Sequence, residues 1–520
     1  MRSENKNLAK NIAKISLATF LSRISGLLRD IVSTYFFGTT YVADAFRVAF
    51  LIPNMLRLLF GEGALSAAFI PIYNEFLKNK SKKDTIYFTL NILSLLLIFL
   101  TLLTFIGIWI APLIVKIVAP GFSQNTAILC TKLTRILFPY IFLIGLTSII
   151  IAILNSHNIF FIPSLSPVML NFGMIITVSI YALSTNSTMI DRIYFLAFGV
   201  LIGGFMQLIV NIPLLVKVGY KLKFFINLRQ KEVHQVWTRM IPGIVGLAIR
   251  QVNLVVDTLL ASLLVSGSIA ALGYGSRLMQ LPLGVFGIAI STAVLPLFSR
   301  HTANNDDEGL RTSLQFAMHF IVIIMLPIIA VINAMGKDFI MLLFYQGEFN
   351  ERALRMTYNA LAFYSIGLVS FSGVRTLAPV FYAKKDTKTP VKIAIISMTS
   401  NIFLNIILMH YLQLRGLALA TSLSSTIQLI LLWILLNKKY LTIELRQFWV
   451  NFLKILFLSI IIFIASHFLS GIFVTFNKFY LLLKILVILM ALFSFYIAGL
   501  YLLKVQYIDM IKTHILRKFK

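Results

Sequence analysis

The sequence is poor in acid, cysteine and long polar stretches. Of 520 residues only 18 are Asp or Glu, against 46 Lys or Arg, and charged residues make up 12% of the chain. Cys130, alone in an apolar stretch, excludes an internal disulfide and any cysteine-based metal cluster, and reads as a small buried hydrophobe. No G-x-x-x-x-G-K-[ST] phosphate loop is present, and the seven histidines form no H-E-x-x-H or other dense ligand spacing. An enzyme therefore has no motif to rest on, and His319 and His410 read as packing or interface residues. Alternating ten-residue strands of barrel type are missing. The opening MRSENKNLAKNIAK lacks the apolar core and cleavage site of a secretory signal, and reads as a retained cytoplasmic lead-in.

What the chain has instead is apolar surface. Hydrophobic residues make up 59% of it, and its mean hydropathy is +0.90, more than one soluble core can bury. Apolar stretches long enough to cross the bilayer as helices recur from end to end. Loop signals separate spans near 9–36, 41–76, 84–118, 126–155, 161–184, 190–218, 235–265, 268–300, 310–335, 351–382, 388–410, 413–436, 447–470 and 478–505. The expectation is an all-α integral membrane protein with about fourteen transmembrane helices.

Charge tests that count independently, because cytoplasmic loops collect Lys and Arg. Basic residues do fall in every second loop: Lys78 to Lys83 after the second span, Lys217 to Lys231 after the sixth, Lys384, Lys385 and Lys388 after the tenth, and Lys438 and Lys439 after the twelfth. The alternate loops FFGTTYVA, APGFSQNT and VSGSIAA have none. Both termini are thus expected in the cytoplasm, and the formal charge of +28 marks topology rather than nucleic-acid binding.

The longest polar break, about 218–234, mixes basic and aromatic residues and suits an amphipathic helix on the inner leaflet. It divides an N-terminal lobe, 1–218, from a C-terminal lobe, 235–436, with 219–234 as the cytoplasmic linker. A last pair of spans, 447–505, and a cytoplasmic tail, 506–520, follow. Gly199 and Gly203 form a GxxxG, which reads as close helix packing.

Ionisable groups inside spans cost at least ~2.5 kcal/mol each near the bilayer centre and normally face a bundle interior or a wet cavity. Here Arg23, Arg29, Asp30, Asp44, Arg47, Arg57 and Glu62 crowd the first two spans, and Arg250, Asp257, Arg277 and Arg375 occupy later ones. Pairs such as Arg29 with Asp30 or Asp44, and Arg57 with Glu62, would be helix glue. The surplus of arginine over carboxylate calls for an anionic ligand, and guanidinium forks suit a diphosphate. Gly26 and Pro53 let both helices kink or open beside these charges.

The runs SRISGLLRD (22–30), ADAFRVAFLIPNMLRLLFGEGALSAAFIPI (43–72), APGF (119–122), FPY (138–140), SRLMQLPLGVFGIAISTAVLPLFS (276–299) and LAPVFYAKKDTKTPVKIAI (377–395) closely resemble the MurJ (MviN) family of lipid II flippases. The resemblance runs in order from about residue 8 to beyond 425. It implies the fold of the multidrug and oligosaccharidyl-lipid exporter superfamily: two six-helix lobes around a central cavity plus two C-terminal helices. It implies a bacterial cytoplasmic (inner) membrane protein, without ATP-binding motif, that moves undecaprenyl-diphosphate disaccharide pentapeptide from the inner to the outer leaflet. Lipid II, membrane lipids and other cell-wall synthesis proteins are the implied partners. Matched by position, Arg23, Arg29, Asp44, Arg57 and Arg277 are implied to bind the head group, with Ser22 and Ser268 nearby, and 447–505 to form a lipid-tail groove.

Some family members bind sodium, and the matching positions are Asp257, Asn401, Asn405, Leu417 and Thr421. Asn405 stands where a carboxylate would make a strong site, so the alternative is that these polar groups bridge helices and no cofactor is needed. Arg47 and Ser276 also depart from the family pattern, where an apolar and an acidic residue are common. A flippase for another polyprenyl-linked glycan, or a non-transporting scaffold of cell-wall synthesis, would share much of this composition. A drug antiporter would instead carry surplus acid in its spans.

Overall fold

A backbone crossing hydrocarbon has no water to satisfy its N–H and C=O groups, so a chain this apolar must close its hydrogen bonds within each segment, and does so as helices. The computed structural model describes residues 2–57, 64–184, 186–221, 223–441, 445–472 and 477–505, with the backbone alone for 2–13, 64, 245–250 and 445. No strand occurs among the described residues.

The chain forms two compact units, Met1–Ala270 with Gln346–Glu348, and Ala271–Tyr345 with Phe349–Lys520. The first contains α1 (Arg2–Phe37), α2 (Tyr41–Leu56), α3 (Ala64–Asn79), α4 (Lys82–Val118), α5 (Gln124–Leu137), α6 (Tyr140–Ser156), α7 (Phe161–Ser184), α8 (Met189–Lys217) and α9 (Lys231–Ser262). Then comes α10 (Ser268–Pro282), which starts in the first unit and passes through a π turn, Leu283–Gly287, into α11 (Ile288–Ala303). The rest of the second unit is α12 (Asp307–Phe344), α13 (Glu351–Ser365), α14 (Leu368–Ala383), α15 (Lys388–Leu412), α16 (Leu414–Lys439), α17 (Leu445–Ile472) and α18 (Lys478–Leu502).

Each of the fourteen apolar stretches holds helix over most of its described residues, but the count of fourteen spans is not confirmed. Ten helical segments of the described residues are long and apolar enough to cross a membrane, or eleven if α13 and α14, bent by 43°, make one span. The shortfall lies in α1, α2, α3 and α9. Charges lower the apolarity of α1 and α9, and α2 and α3 are each only 16 residues long.

Close packing of aromatic and aliphatic side chains holds each unit together. In the first, Phe69 and Phe76 both stack on Phe88, with ring centroids 5.9 and 4.5 Å apart. Beside them Tyr73 shares a 2.6 Å hydrogen bond with Tyr220. The GxxxG of α8 is a close-packing seam: a Cβ on Gly199 would stand 2.8 Å from the Gly173 oxygen, and one on Gly203 2.7 Å from the Leu170 Cα. In the second unit, α17 and α18 pack on α12 through Ile455, Leu458, Ile485 and Leu492. Polar ties fix this register. Lys484 reaches Asp338 at 3.0 Å and the Ser470 carbonyl at 2.8 Å. Tyr496 donates to the Ile323 carbonyl at 2.6 Å. His319, against Asn451 at 3.3 Å and edge-on to Phe448, is a packing residue.

The amphipathic helix expected over 218–234 is not formed. From Tyr220 to Gln230 the described chain is irregular, and helix resumes only at Lys231. The reason is the buried Asn91 of α4. Its side chain accepts from the Asn227 amide at 2.9 Å and donates to the Asn227 carbonyl at 2.8 Å, while Ser94 accepts from the Phe225 amide at 3.0 Å. Partners on α4 thus satisfy backbone groups that a helix would have satisfied internally.

Candidate functional site

Of the expected site residues, Ser22, Arg23, Arg29, Asp44, Arg57, Asp257 and Ser268 belong to the first unit. Arg277, Arg375, Asn401, Asn405, Leu417 and Thr421 belong to the second. Glu62 and the Arg250 side chain lie outside the described residues, and with them the proposed Arg57–Glu62 pair.

In α1 the charges sit on a helix that runs unbroken through Gly26, so no local opening occurs there. Arg29 is held on three of its N–H groups. Its Nε and Nη2 donate to Asp30 Oδ1 at 3.2 and 2.8 Å, and its Nη1 donates to Asn171 Oδ1 of α7 at 3.2 Å. The same Asn171 donates to Ser25 Oγ at 2.9 Å, and Ser25 donates to the Ser22 carbonyl at 3.0 Å. A short relay thus links Ser22 to Arg29, with Asp30 as counter-ion. Arg29 and Asp30 are mostly buried, so the pair is weakly screened, and neither charge is cheap to leave alone. Asn171 was not singled out in the sequence, because an Asn in an apolar span carries no charge to mark it.

Six residues earlier, Arg23 points elsewhere. Six helical steps turn a side chain about 120° away from Arg29. Arg23 is exposed and makes no ion pair or hydrogen bond with any described residue. It is the first unit's available cation in the expected set.

Asp44 is a different case. Buried at 3% exposure, it accepts from the Gly267 amide at 2.6 Å and from the Ala270 amide at 2.7 Å, one on each carboxylate oxygen. These amides flank Ser268 at the start of a helix, where unpaired N–H groups and the helix dipole favour a carboxylate. The chain can reach this position because Gly267 takes a left-handed φ of +93°, and a Cβ there would strike the Thr39 carbonyl. Ser268 itself is fully buried and donates to the Val265 carbonyl. Asp44 therefore ties α2 to that turn with both oxygens. Arg57, at the end of α2, donates to Asn54 Oδ1 at 3.0 Å.

In the second unit Arg277 is half-buried on α10, five residues before the Pro282 that leads into the π turn. One position before it is Ser276, whose hydroxyl accepts from Gln280 at 3.2 Å. Arg375, on α14, is exposed, and its carbonyl accepts from Ser291 at 2.7 Å.

The residues matched to a sodium site form a seam between α15 and α16. Asn405 donates to Asn401 Oδ1 at 2.9 Å, Asn401 to Ser424 Oγ at 3.3 Å, Ser424 to the Thr421 carbonyl at 3.0 Å, and Thr421 to the Leu417 carbonyl at 3.1 Å. In the first unit Asp257 accepts from Asn253 at 3.3 Å. A hard cation needs several oxygens free to converge, with at least one anionic for strong binding. Along α15 and α16 these amides and hydroxyls hydrogen-bond one another, and no carboxylate is among them. Among the described residues no group of three or more His, Cys, Asp or Glu could hold a metal ion.

Outside the spans, Asp386 caps α15. It accepts from the Thr389 hydroxyl and amide at 2.6 and 2.9 Å, and Lys439 lies at 3.1 Å. The Thr389 hydrogen bonds hold its carboxyl below the usual carboxylate range, with Lys439 and Tyr440 adding to the effect.

Comparison with known proteins is consistent over most of the chain. The family model described as lipid II flippase MurJ matches residues 33–491. A probable lipid II flippase MurJ of Buchnera aphidicola subsp. Baizongia pistaciae is 36% identical, over 89% of this chain and 90% of its own. The lipid II flippase MurJ of Burkholderia cenocepacia is 34% identical over 83% and 84% of the two chains. A solved lipid II flippase MurJ in an inward closed conformation superposes with a TM-score of 0.78 at 30% identity, covering 94% of this chain and 98% of that one. An inward-facing multidrug resistance transporter of the MATE family, in the MOP superfamily, has the same fold at 15% identity, with a TM-score of 0.65 and 83% and 98% covered.

Proposed function

Since this chain belongs to the lipid II flippase MurJ family, we propose that it carries lipid II from the inner to the outer leaflet of the bacterial cytoplasmic membrane. The observation that carries this reading is the family match across residues 33–491. The excess of arginine over acid in the spans supports it, because a diphosphate is the part of such a substrate that needs cations.

The proposed head-group contacts are Arg23, Arg29, Arg57 and Arg277. Arg23 is the entry contact, being exposed and uncommitted among the described residues. Arg29 comes second by exchanging partners: a diphosphate displaces Asp30 from the guanidinium, two anionic groups competing for one fork. Such an exchange gives the ligand a contact that differs between two states, and a ligand can shift an equilibrium only through that difference. Asp44 has the role of holding the turn before α10 and does not touch the substrate. The exposed flanks of α17 and α18 are the proposed rest for the prenyl tail. No ATP is spent; both termini lie in the cytoplasm; and the membrane potential, worth ~2.3 kcal/mol per charge per 100 mV, returns the empty cationic cavity inward. The proposed cycle runs without sodium, since the α15–α16 positions carry amides and a hydroxyl but no carboxylate.

The test is complementation of a flippase-depleted bacterium by this chain, with outer-leaflet lipid II and membrane abundance measured together. Restored outward lipid II supports the reading. A correctly inserted chain that restores none refutes it.

A further inference from the structure

Three more basic residues line a groove far from α1. At the end of α4 and along α5 is a cleft of about 490 Å³ in the first unit, with Lys116, Lys132 and Arg135 in its wall. Its geometry follows from helical spacing. Ile128, Thr131, Lys132 and Arg135 recur at intervals of three, one and three, so they share one face of α5. Val115, Lys116 and Ala119 do the same at the end of α4, and Phe122 closes the top. The opposite face of α5 is the packed one, with Leu129, Cys130, Leu133 and Leu137 buried.

These cations lack counter-ions. All three are exposed, no acid lines the cleft, and none of the three makes an ion pair or hydrogen bond with a described residue. Lys132 and Arg135 also lie within a helical stretch long and apolar enough to cross a membrane. Lys132 and Arg135 are about 12 and 16 Å along α5 from its first residue, and α5 continues into α6 as one apolar span. The neighbouring face of α4 presents Phe105, Trp109, Leu113 and Ile117, all more than half exposed, as a lipid-facing stripe running level with Lys116. Like charges three residues apart repel, and an unpaired cation in a span marks a ligand or ion path. α4 starts beside the basic cluster Lys78 to Lys83, and a helix of 37 residues, about 55 Å long, ends on the opposite side. The groove is therefore on the side away from the basic loops.

We propose that the α4–α5 groove is a second anion site, which receives the diphosphate of the polyprenyl-linked substrate on the outer side after it has crossed. This rests on the flippase reading. The cleft is amphiphilic in the way such a ligand requires: three cations face a multiply charged diphosphate, and Phe122 and Ile128 face the first prenyl units. A phospholipid phosphodiester carries a single charge and would leave two of the three cations unmatched, against one for a diphosphate diester.

The probe is radiolabelled undecaprenyl diphosphate, presented to the full chain in phosphatidylcholine nanodiscs with a photo-crosslinking residue at Ile128. Labelling is expected, with a loss of about tenfold in Lys132→Gln/Arg135→Gln. Lys116→Gln, on the other helix, should weaken labelling in the same direction, and Lys132→Arg should retain it. Because the cations repel, the double variant should melt no lower than the parent without ligand, whereas a structural role would lower its melting point. Labelling that ignores these substitutions overturns the proposal. So does equal competition by phosphatidylglycerol, which would make the groove a general site for anionic phospholipid. If the chain moves no lipid II in cells while charge-dependent labelling persists, the flippase reading fails and the groove still stands as a diphosphate site.

Discussion

Two aspartates that look alike in the sequence have opposite commitments. Asp30 shares Arg29 with Asn171, and Asp44 gives both oxygens to backbone amides. Asp30→Asn should leave Arg29 without its counter-ion, costing about 1–3 kcal/mol at this partial burial. It should also tighten binding of undecaprenyl diphosphate, because the competing carboxylate is gone. Thermal unfolding and equilibrium binding check both parts, and weaker binding would make Asp30 a support for the site rather than a competitor. Asp44→Asn keeps the shape but replaces an anionic acceptor at two charge-assisted hydrogen bonds, so about 1.5–3 kcal/mol of stability should go. Arg23→Ala, at an exposed side chain with no described partner, should cost little stability and most of the transport. Melting points of the two purified variants, set beside outer-leaflet lipid II, separate a holding role from a binding one. Charge counting found the arginines because desolvation makes any charge in a span conspicuous. It could not tell which carboxylate neutralises which arginine, since that depends on helix rotation. The neutral Asn171, and Lys132 and Arg135 in a stretch otherwise read as plain span, lacked the crowding that drew notice to α1 and α2.

At the scale of elements, hydropathy placed the helical stretches, because a backbone in lipid has no alternative to helix. It did not place the breaks within them, such as those between α5 and α6 or α13 and α14, because a short break leaves the apolarity unchanged. Outside the spans it was a poorer guide. The segment 219–230 has the composition of an interfacial helix, yet Asn91 and Ser94, more than a hundred residues earlier, draw its backbone into an irregular strap. No local pattern announces a partner so distant in sequence. Asn91→Leu should release the strap, and trypsin should then cut after Lys223 or Arg229 about tenfold faster, as followed by mass spectrometry. Unchanged cleavage would mean that other contacts suffice. The GxxxG reading succeeded because it is local: spacing alone puts Gly199 and Gly203 on one face. Gly203→Val should push α8 off Leu170, costing about 1–3 kcal/mol as overpacking, with lower membrane abundance as the measure.

For the whole molecule, the family resemblance gave the fold and the transported class, and the proposed cycle runs without sodium. Replacing external sodium by choline should leave outward lipid II unchanged, while collapsing the membrane potential should reduce it; the reverse pattern would restore a sodium-coupled site. What ties these scales together is one claim, that arginines on a transporter fold carry an anionic lipid head across the membrane. The most direct test expresses this chain, Arg23→Ala, Arg29→Ala and Arg277→Ala in a flippase-depleted bacterium and measures outer-leaflet lipid II at matched membrane abundance. The account predicts outward lipid II restored by the parent and lost in the variants; variants that restore it as well as the parent at equal abundance would contradict the cationic path.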